Sequence, residues 1–421
     1  MRFTAIYPYD PLVRSRIRSY RTLSILAAKA PTAVYYPGSE AGKDGFPVPD
    51  GVTLHAIRDT TMLRLVRFAC AMGTRRSLSF AFYRNALKTA LRSEVHDLVF
   101  AERIPLPSRL VSATPIVYDT VDRFRTQVAS LHEDAKALRR LGYGYDMHTI
   151  AAEQVRYCNA STLVLCTTDS EAKGLRSDGV QTPIQSFFHR SQTDWTDHAH
   201  AATEMREALS RRRRVINGRR RLASFHGRSS YPANIAAVRF IENSLAKALD
   251  DTAFLIFGEQ WAERREANIS YLGRQANLSL LGAADFGVFP LSTAVGIPNK
   301  VIECLAYGLP IVISPALHAI LPEWIKDNLR ERIHRAEIQA FAECIRSRES
   351  QLVRSDIAAE YFRSIYSAKA EASERELGDS IARLSTLKRQ AQASWRPPAG
   401  QPAPLIAPDL RAASFDGSRG H

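Results

Sequence analysis

The stretch Ala294–Ser314, AVGIPNKVIECLAYGLPIVIS, predicts a glycine–proline turn, a short helix and a buried strand. Proline is favoured at the first helical position because its missing N–H would have no partner there, so Pro298 predicts the helix start. Gly308 followed by Pro310 predicts the helix end, because glycine adopts the left-handed cap conformation and proline cannot continue a helix. The free N–H groups at the amino end, together with the helix dipole, predict an anion site.

The predicted helix carries two charged side chains, Lys300 and Glu303, which lie on one face because they are three residues apart. A carboxylate can accept two hydrogen bonds from a sugar diol. The arrangement therefore predicts a site for a diphosphate beside a ribose, as in a sugar nucleotide. The alternative is an ion pair between the two side chains on the helix surface, which contributes only about 0.2–0.5 kcal/mol.

The stretch resembles the donor-binding motif of GT-B glycosyltransferases, near family 4 (group 1) and its capsule and exopolysaccharide relatives. In that motif a glycine-containing turn precedes K-x-x-E, and A-x-G-x-P-V-V follows. Other segments resemble the family in the same order, with an F-x-G-x-x-x-Y-x-P-N opening, a strand ending in glycine, and an F-L-G-x-x…A-D-x-x-x-x-P element. The matching residues are 296–303 and 306–312 for the motif, and 225–234, 254–258 and 271–290 for the other segments. Their shared order makes the resemblance specific.

The resemblance implies an α/β GT-B fold, in which two Rossmann-like parallel-sheet domains face a cleft. The alternation of short apolar runs with helical patterns is also typical of parallel-sheet domains, and 421 residues suit two of them. We expect an N-terminal acceptor-side domain, a C-terminal nucleotide-sugar-binding domain, closing helices that in relatives cross back to the first domain, and a disordered proline-rich tail. The expected bounds are 1–205, 218–350, 351–392 and 393–421.

Apolar runs predict the strands of both sheets. In the first half they are Phe3–Tyr7, Ala33–Tyr36, Thr53–Ile57, Asp97–Phe100, Ile116–Tyr118 and Thr162–Cys166. In the second half they are Leu222–His226, Ala253–Phe257, Ile269–Leu272, Phe286–Phe289 and Ile311–Ser314. Helices are expected at Arg16–Ala30, Thr61–Phe68, Leu78–Ser93, Glu133–Cys158, Ala358–Phe362 and Ala370–Arg389.

The resemblance also implies the donor-binding residues. Glu303 would bind the ribose and Lys300 the diphosphate, while the other members would shape turns or contact the diphosphate and base: Gly227, Arg228, Gly273, Arg274, Gly296 and Asn299. Two positions depart from the family pattern. Eight residues before Glu303, where many retaining relatives carry a carboxylate, this chain has Val295, and five residues beyond Arg228, where they carry lysine, it has Ala233. Retention or inversion of configuration is therefore left open.

Candidate acceptor-side residues lie in the first half. The segment Val117–Asp122 resembles a Y-D-x-V-D element at the carboxyl end of a strand, where α/β sheets place ligands. Asp122 or Asp119 would then act as a general base or bind the acceptor. The alternative is that these carboxylates cap a helix or are solvated in a loop. The segment 9–20 also resembles the opening of the exopolysaccharide-type relatives, with Arg14 in place of a glycine.

The net charge of +14 and the isoelectric point near 9.7 predict an anionic partner, such as a diphosphate substrate, an anionic membrane surface or nucleic acid. Seven arginines fall within residues 211–221. They are interpreted as a solvated linker, as a membrane-surface patch or, less readily because no aromatic residue is interleaved, as a nucleic-acid site. The start of the chain lacks a secretory signal, and no apolar run is long enough to span a bilayer. We expect a cytoplasmic protein, with peripheral attachment to the inner face of the membrane as one hypothesis.

The sequence as a whole predicts a hexosyltransferase-like enzyme that uses a nucleoside-diphosphate sugar as co-substrate and no other cofactor. The acceptor would be a bacterial surface polysaccharide or a lipid-linked saccharide. We expect metal independence, because no D-x-D follows a strand and the five cysteines lack metal-site spacing. The alternatives are a nucleotide-sugar hydrolase or epimerase of the same fold, and a catalytically degenerate binding or scaffold protein.

Overall fold

A computed structural model defines the fold. The residues that it describes are 1–8, 10–12, 17–37, 46–57, 96–103, 114–133, 137–189, 210, 212, 215–216, 218–229, 231–275, 278–294, 296 and 299–394. The predicted helices Thr61–Phe68 and Leu78–Ser93, the position of Arg14, and the predicted tail from residue 395 onward all lie outside these ranges. Two compact units are present: one contains Met1–Ala129, Ala137–Arg190 and Lys369–His421, and the other contains Ser130–Lys136 and Ser191–Ala368.

The first unit contains a seven-stranded sheet in which every pairing is parallel. Its strands are β1 (Phe3–Ile6), β2 (Thr32–Pro37), β3 (Val52–Ile57), β4 (Leu98–Glu102), β5 (Ile116–Asp119), β6 (Leu163–Cys166) and β7 (Ile184–Ser186). They are arranged in the order β3-β2-β1-β4-β5-β6-β7. Most of these strands are buried apolar runs, as expected for a parallel sheet that is covered on both faces.

Helices cover both faces of this sheet, and they are Ile17–Lys29, Phe124–Glu133, Ala137–Asn159 and Asp169–Ser177. Alternate residues of each strand point to opposite faces. In β4, Val99 packs with residues of the helices that follow β5 and β6, whereas Phe100 packs with Leu23 and Leu26 of the first helix. Each face therefore has its own apolar core.

The second unit contains another seven-stranded sheet. Its strands are β8 (Arg221–His226), β9 (Thr252–Phe257), β10 (Arg264–Glu266), β11 (Ile269–Tyr271), β12 (Phe286–Phe289), β13 (Ile311–Ile313) and β14 (Ile333–Arg335). The order is β10-β11-β9-β8-β12-β13-β14, and only the β10–β11 pair is antiparallel. The chain thus builds outward from β8 to one side and then returns to build from β8 to the other side.

The helices of this unit are Pro232–Phe240, Ala246–Ala248, Asn299–Ala306, Pro315–Ile320, Glu323–Asn328 and Phe341–Ser347. A π-helical turn at Ile241–Leu245 joins the first two. Short 3-10 turns lie at Ser279–Ala283, Arg330–Arg332, Ile338–Ala340 and Glu349–Gln351.

The last helix, Asp356–Ser394, has 39 residues and is shared between the units. Near its start, Phe362 stacks on Trp324 of the second unit, with 6.2 Å between ring centroids. Further on, Leu377 and Ile381 are fully buried in the core of the first unit. The chain therefore returns to the first unit at Lys369. No helix among the described residues is both long enough and apolar enough to cross a membrane.

All eleven strands predicted from apolar runs are confirmed within one or two residues at their ends. Three further strands were not predicted, β7, β10 and β14, because their segments, IQS, RRE and IHR, are not apolar runs. The prediction of two separate helices at Ala358–Phe362 and Ala370–Arg389 is wrong. One continuous helix forms, since residues 363–369 contain neither glycine nor proline to interrupt it.

Candidate functional site

The candidate site lies at the carboxyl edge of the second sheet. β8 pairs with β9 on one side and with β12 on the other, so the strand order reverses beside β8. In open α/β sheets ligands bind at such a reversal, outside the carboxyl ends of the strands. His226 ends β8, and the turn that follows β12 leads through Gly296 into the Asn299–Ala306 helix.

The Asn299–Ala306 helix ends as its sequence predicts. Gly308 has φ of +73°, its N–H donates to the carbonyl of Leu305, and the next N–H, from Leu309, donates to the carbonyl of Cys304. These two bonds are those of a Schellman cap. At the other end the described helix begins at Asn299, which is exposed, while Pro298 lies outside the described residues. Gly296 is buried in the preceding turn with φ of +70°.

Lys300 projects toward the loop after β8. Its Nζ donates to Oδ1 of Asn234 at 2.6 Å and lies 5.2 Å from the ring centroid of Phe225. The amide of Asn234 in turn donates to the carbonyl of Arg228 at 2.8 Å, which fixes its orientation. Burial lowers the pKa of Lys300 to about 8, and the nearby Glu303 carboxylate opposes this shift. Lys300 is therefore a protonated, poorly hydrated ammonium at neutral pH.

Glu303 accepts a hydrogen bond from His226, with 2.7 Å between Oε2 and Nε2. Its carboxylate is 13% exposed, and the imidazole is 8% exposed. The ion pair between Lys300 and Glu303 that the sequence allows is not formed in the described part of the chain, where each side chain has a different partner. The surface ion-pair interpretation of these two residues is therefore wrong.

Two glycines keep the loop after β8 close to the loop after β9. Gly258 has φ of +136°, and a Cβ placed on it would overlap the carbonyl of Gly227. Gly227 has φ of +153°, and a Cβ there would lie 2.7 Å from the amide nitrogen of Asn234. The indole of Trp261 donates to the carbonyl of Gly227 at 2.7 Å and holds the turn in place. The backbone of Gly227 is thus fixed beside the amide that binds Lys300.

The other predicted donor-side residues lie at the same edge. Arg228 is exposed and pairs with Glu259 at 2.8 Å. Such a surface pair contributes at most about 1 kcal/mol, so a phosphate can displace it. Gly273 follows β11 with φ of +61°, and its carbonyl accepts from the N–H of Gly258 at 2.8 Å. Arg274 is exposed next to it.

In the first unit, Asp119 is fully buried at the end of β5 and forms a bidentate ion pair with Arg18. Both nitrogen–oxygen distances are 2.9 Å. Arg18 also donates to the carbonyl of Phe187 at 2.6 Å. These contacts occupy the carboxylate, which favours a structural role for Asp119 over one as a general base.

Asp122 directly follows a strained backbone position. Val121 has φ of +59°, which is rare for a β-branched residue, and the N–H of Asp122 donates to the carbonyl of Thr120 at 2.7 Å to close the turn. On the neighbouring strand, Arg103 follows β4 with φ of +51°. Burial raises the pKa of Asp122, while Arg103 and Arg18 oppose the shift. Strain of this kind is concentrated at functional sites.

The arginine-rich segment 211–221 contacts its own unit wherever its side chains are described. The partners are carboxylates or a carbonyl: Arg212 with Asp285 at 2.9 Å, Arg219 with the Asp250 carbonyl at 3.1 Å, Arg220 with Glu349 at 2.8 Å and Arg221 with Asp251 at 2.8 Å. These pairs neutralise much of the local charge. The segment is therefore part of the folded unit where it is described, and the solvated-linker interpretation is wrong for Arg221, which is buried in β8.

Two residues of the candidate site were not predicted from the sequence. His226 and Asn234 hold Glu303 and Lys300, but the predicted set contained neither of them. The position of His226 could have indicated its role, because it is the last residue of a buried strand and directly precedes Gly227. No group of three or more histidine, cysteine or acidic side chains that could hold a metal ion is found in the described ranges.

Comparison with known proteins identifies this part of the chain. Residues 220–348 match the family model described as glycosyl transferases group 1. This part of the chain is therefore similar in sequence to group 1 glycosyltransferases. The family resemblance predicted from the sequence is confirmed, and the matched residues include His226, Lys300 and Glu303. No curated protein matches the sequence.

Solved structures extend the likeness from the matched residues to the fold of both units. WaaG, a glycosyltransferase involved in lipopolysaccharide biosynthesis, matches with a TM-score of 0.56 and 15% identity over 90% of this chain and 99% of its own. HepE of Anabaena in complex with UDP-glucose matches with a TM-score of 0.56 and 11% identity over 91% of this chain and 100% of its own. The UDP-forming α,α-trehalose-phosphate synthase of Burkholderia vietnamiensis matches with a TM-score of 0.61 and 12% identity over 94% of this chain and 99% of its own. The predicted GT-B fold is thereby confirmed.

Proposed function

We propose that this protein is a glycosyltransferase that moves a sugar from a nucleoside-diphosphate donor to an acceptor hydroxyl. The observation that carries the proposal is the placement of Lys300 and Glu303. Both lie on one short helix at the strand-order reversal, within the residues that match the group 1 model. Glu303 is held by His226 at the end of β8, and Lys300 by Asn234 of the Pro232–Phe240 helix. A cation at the helix start and a carboxylate one turn later match a diphosphate joined to a ribose.

The diphosphate would bind at the amino end of the Asn299–Ala306 helix. Backbone N–H groups there lack partners within the helix and, with the helix dipole, attract an anion. Lys300 adds a charge from a poorly hydrated position, where a phosphate interaction is stronger than in water. Glycosyl transfer leaves negative charge on the departing diphosphate, and these groups would stabilise that charge without a metal ion.

The ribose would bind to Glu303. A carboxylate has about four acceptor positions. The contact with His226 uses one of them, so the 2′- and 3′-hydroxyls can still donate to the remaining positions. Arg228 and Arg274, both exposed at the same edge, would contact the diphosphate and the base, and the backbone of Gly227, Gly273, Gly296 and Asn299 would shape the site.

On the acceptor side we assign the general base to Asp122 rather than to Asp119. Asp119 is fully occupied by Arg18 in the interior, whereas Asp122 is only half-buried and follows the strained turn at Val121. A raised pKa makes a carboxylate a better proton acceptor. This assignment applies to an inverting reaction, because the carboxylate that many retaining relatives carry is replaced by Val295.

The donor sugar, the acceptor and the cellular location belong to the same proposal. A hexose donor and an acceptor among bacterial surface polysaccharides or lipid-linked saccharides are supported by the family resemblance. A cytoplasmic location with peripheral attachment to an anionic membrane rests on the net charge of +14. Co-sedimentation with phosphatidylglycerol vesicles at low salt tests the attachment. A protein that stays in the supernatant would contradict membrane attachment.

Nucleotide release from a panel of UDP-, GDP- and ADP-sugars, with and without glycan acceptors, tests the function. Acceptor-dependent release that Glu303→Gln abolishes would support a transferase. Release of equal rate without acceptor would favour the hydrolase alternative, and binding without release would favour the degenerate binder. An epimerised sugar nucleotide, detected by chromatography, would favour the epimerase.

A further inference from the structure

The imidazole of His226 is held in one orientation by two aromatic rings. It stacks on Phe257 with 5.3 Å between ring centroids and an interplanar angle of 14°, and the ring of Phe289 meets it edge-on at 5.9 Å. The residue is 6% exposed. Its Nε2 contacts Glu303, whereas its Nδ1 is buried and has no hydrogen-bond partner among the described residues.

These contacts select one form of the ring. A buried N–H without a partner costs about 1–3 kcal/mol. A carboxylate only accepts hydrogen bonds, so the 2.7 Å contact with Oε2 requires a proton on Nε2, and a second proton on Nδ1 would be left without a partner. The tautomer with its proton on Nε2 places the only ring N–H on the hydrogen bond to Glu303. His226 then donates to Oε2 from a fixed direction.

We propose that His226 is a positioning residue for nucleotide recognition, which orients the Glu303 carboxylate toward the two hydroxyls of a ribose. This inference rests on the proposed function. Glu303 lies on a helix and His226 on the neighbouring strand β8, so their contact also sets the separation between the helix and the sheet edge. Without the imidazole, the Glu303 carboxylate would lose the donor that fixes its orientation.

The competing interpretation is that His226 only fills space in the core. The two interpretations differ in ligand selectivity. A packing role affects stability and affects all ligands equally, whereas a positioning role acts only on ligands that carry the ribose hydroxyls. A 2′,3′-dideoxynucleoside diphosphate, which lacks both hydroxyls, therefore separates them.

The experiment measures dissociation constants by calorimetry at pH 7.5 for UDP, ADP and GDP and for their 2′,3′-dideoxy counterparts. For wild-type protein we expect at least one ribonucleotide to bind about tenfold or more tightly than its dideoxy form, as for hydrogen bonds to a charged group. His226→Phe keeps the stacking but removes the donor, and the ratio should fall to within about twofold. His226→Gln restores an N–H donor and should recover most of the ratio.

A matched control is His334→Gln, which changes another buried histidine of the same sheet, on β14. It should leave the ratio unchanged, and thermal unfolding of each variant reports any loss of stability separately. If the wild-type protein binds none of the diphosphates, the proposed function fails, and this inference with it. If the wild type discriminates and His226→Phe discriminates equally well, only the positioning role is overturned.

Discussion

Arg18 and Asp119 form a buried bidentate ion pair in the first unit, although 101 residues separate them in the sequence. The pair joins the first helix to the end of β5, and Arg18 further donates to the carbonyl of Phe187. Asp122 lies three residues further along the chain, directly after the strained Val121, and the Arg18 guanidinium pairs with Asp119 instead of with it. The two candidate bases therefore have different surroundings, and their substitution should have different effects.

Asp119→Asn should destabilise the protein. It leaves the Arg18 guanidinium buried beside a neutral partner, and breaking a buried pair in this manner costs about 3–5 kcal/mol. Urea denaturation, monitored by circular dichroism, measures the change. A midpoint equal to that of the wild type would contradict the structural role of this ion pair.

Asp122→Asn should leave stability nearly unchanged but lower kcat by about 10²–10⁴-fold, since a general base contributes on that scale. The raised pKa of Asp122 adds a pH dependence with a definite sign. The base acts only when deprotonated, so kcat should fall as pH decreases, with a midpoint above that of an ordinary aspartate. An Asp122→Asn enzyme with the kcat of the wild type would show that Asp122 is not the general base.

Binding of a nucleoside diphosphate should weaken as pH rises through about 8, because Lys300 loses its proton there in the free protein. Lys300→Met should weaken binding below that pH and remove this pH dependence. Titration calorimetry from pH 6.5 to 9.5 on both proteins provides the measurement. Parallel pH profiles for the two proteins would exclude Lys300 as the diphosphate partner.

The same shift has a consequence for stability in the absence of ligand. The folded-state pKa of about 8 lies below the ordinary lysine value of 10.5. Between these values the unfolded chain binds more protons, so the contribution of Lys300 to the free energy of unfolding increases with pH. Relative to Lys300→Met, the wild type should become more stable from pH 8 to 10, as measured by urea denaturation. A constant difference between the two proteins would show that the Lys300 ammonium is not desolvated.

Gly258→Ala should reduce both stability and nucleotide affinity. The new Cβ overlaps the carbonyl of Gly227, and a φ of +136° is unfavourable for alanine. Strain of this kind costs on the order of 1–3 kcal/mol and is relieved only if the turn at Gly227 moves. Gly142→Ala is the control, since Gly142 lies in a helix with open space around it and should tolerate a methyl group. Equal behaviour of the two variants would contradict the close approach of the two loops.

Much of the fold is predictable because its information is local. Buried parallel strands such as Phe286–Phe289 are continuous apolar runs, and Gly308 marks a helix end by its own backbone preference. The exposed strand Arg264–Glu266 has no such run, and it forms by pairing with its neighbour β11. The length of the last helix also depends on packing, since Leu377 and Ile381 find their partners in the first unit.

The site was predictable in its charged members and not in the side chains that hold them. Lys300 and Glu303 follow from one motif, three residues apart. Their partners Asn234 and His226 lie 66 and 77 residues away, and only the pairing of β8 with β12 brings them together. Likewise, no local pattern indicates that Arg18 occupies Asp119, which is why both carboxylates were candidate bases.

The most direct measurement is a crystal structure of the protein with UDP, ADP or GDP, whichever binds most tightly. Phosphate oxygens should lie within hydrogen-bond distance of the Lys300 Nζ and of the backbone N–H groups at the start of the Asn299–Ala306 helix. The ribose hydroxyls should lie on the Glu303 carboxylate, with His226 still in contact with Oε2. A nucleotide bound elsewhere, with the Glu303 carboxylate unchanged and away from any ribose, would contradict the proposed nucleotide site.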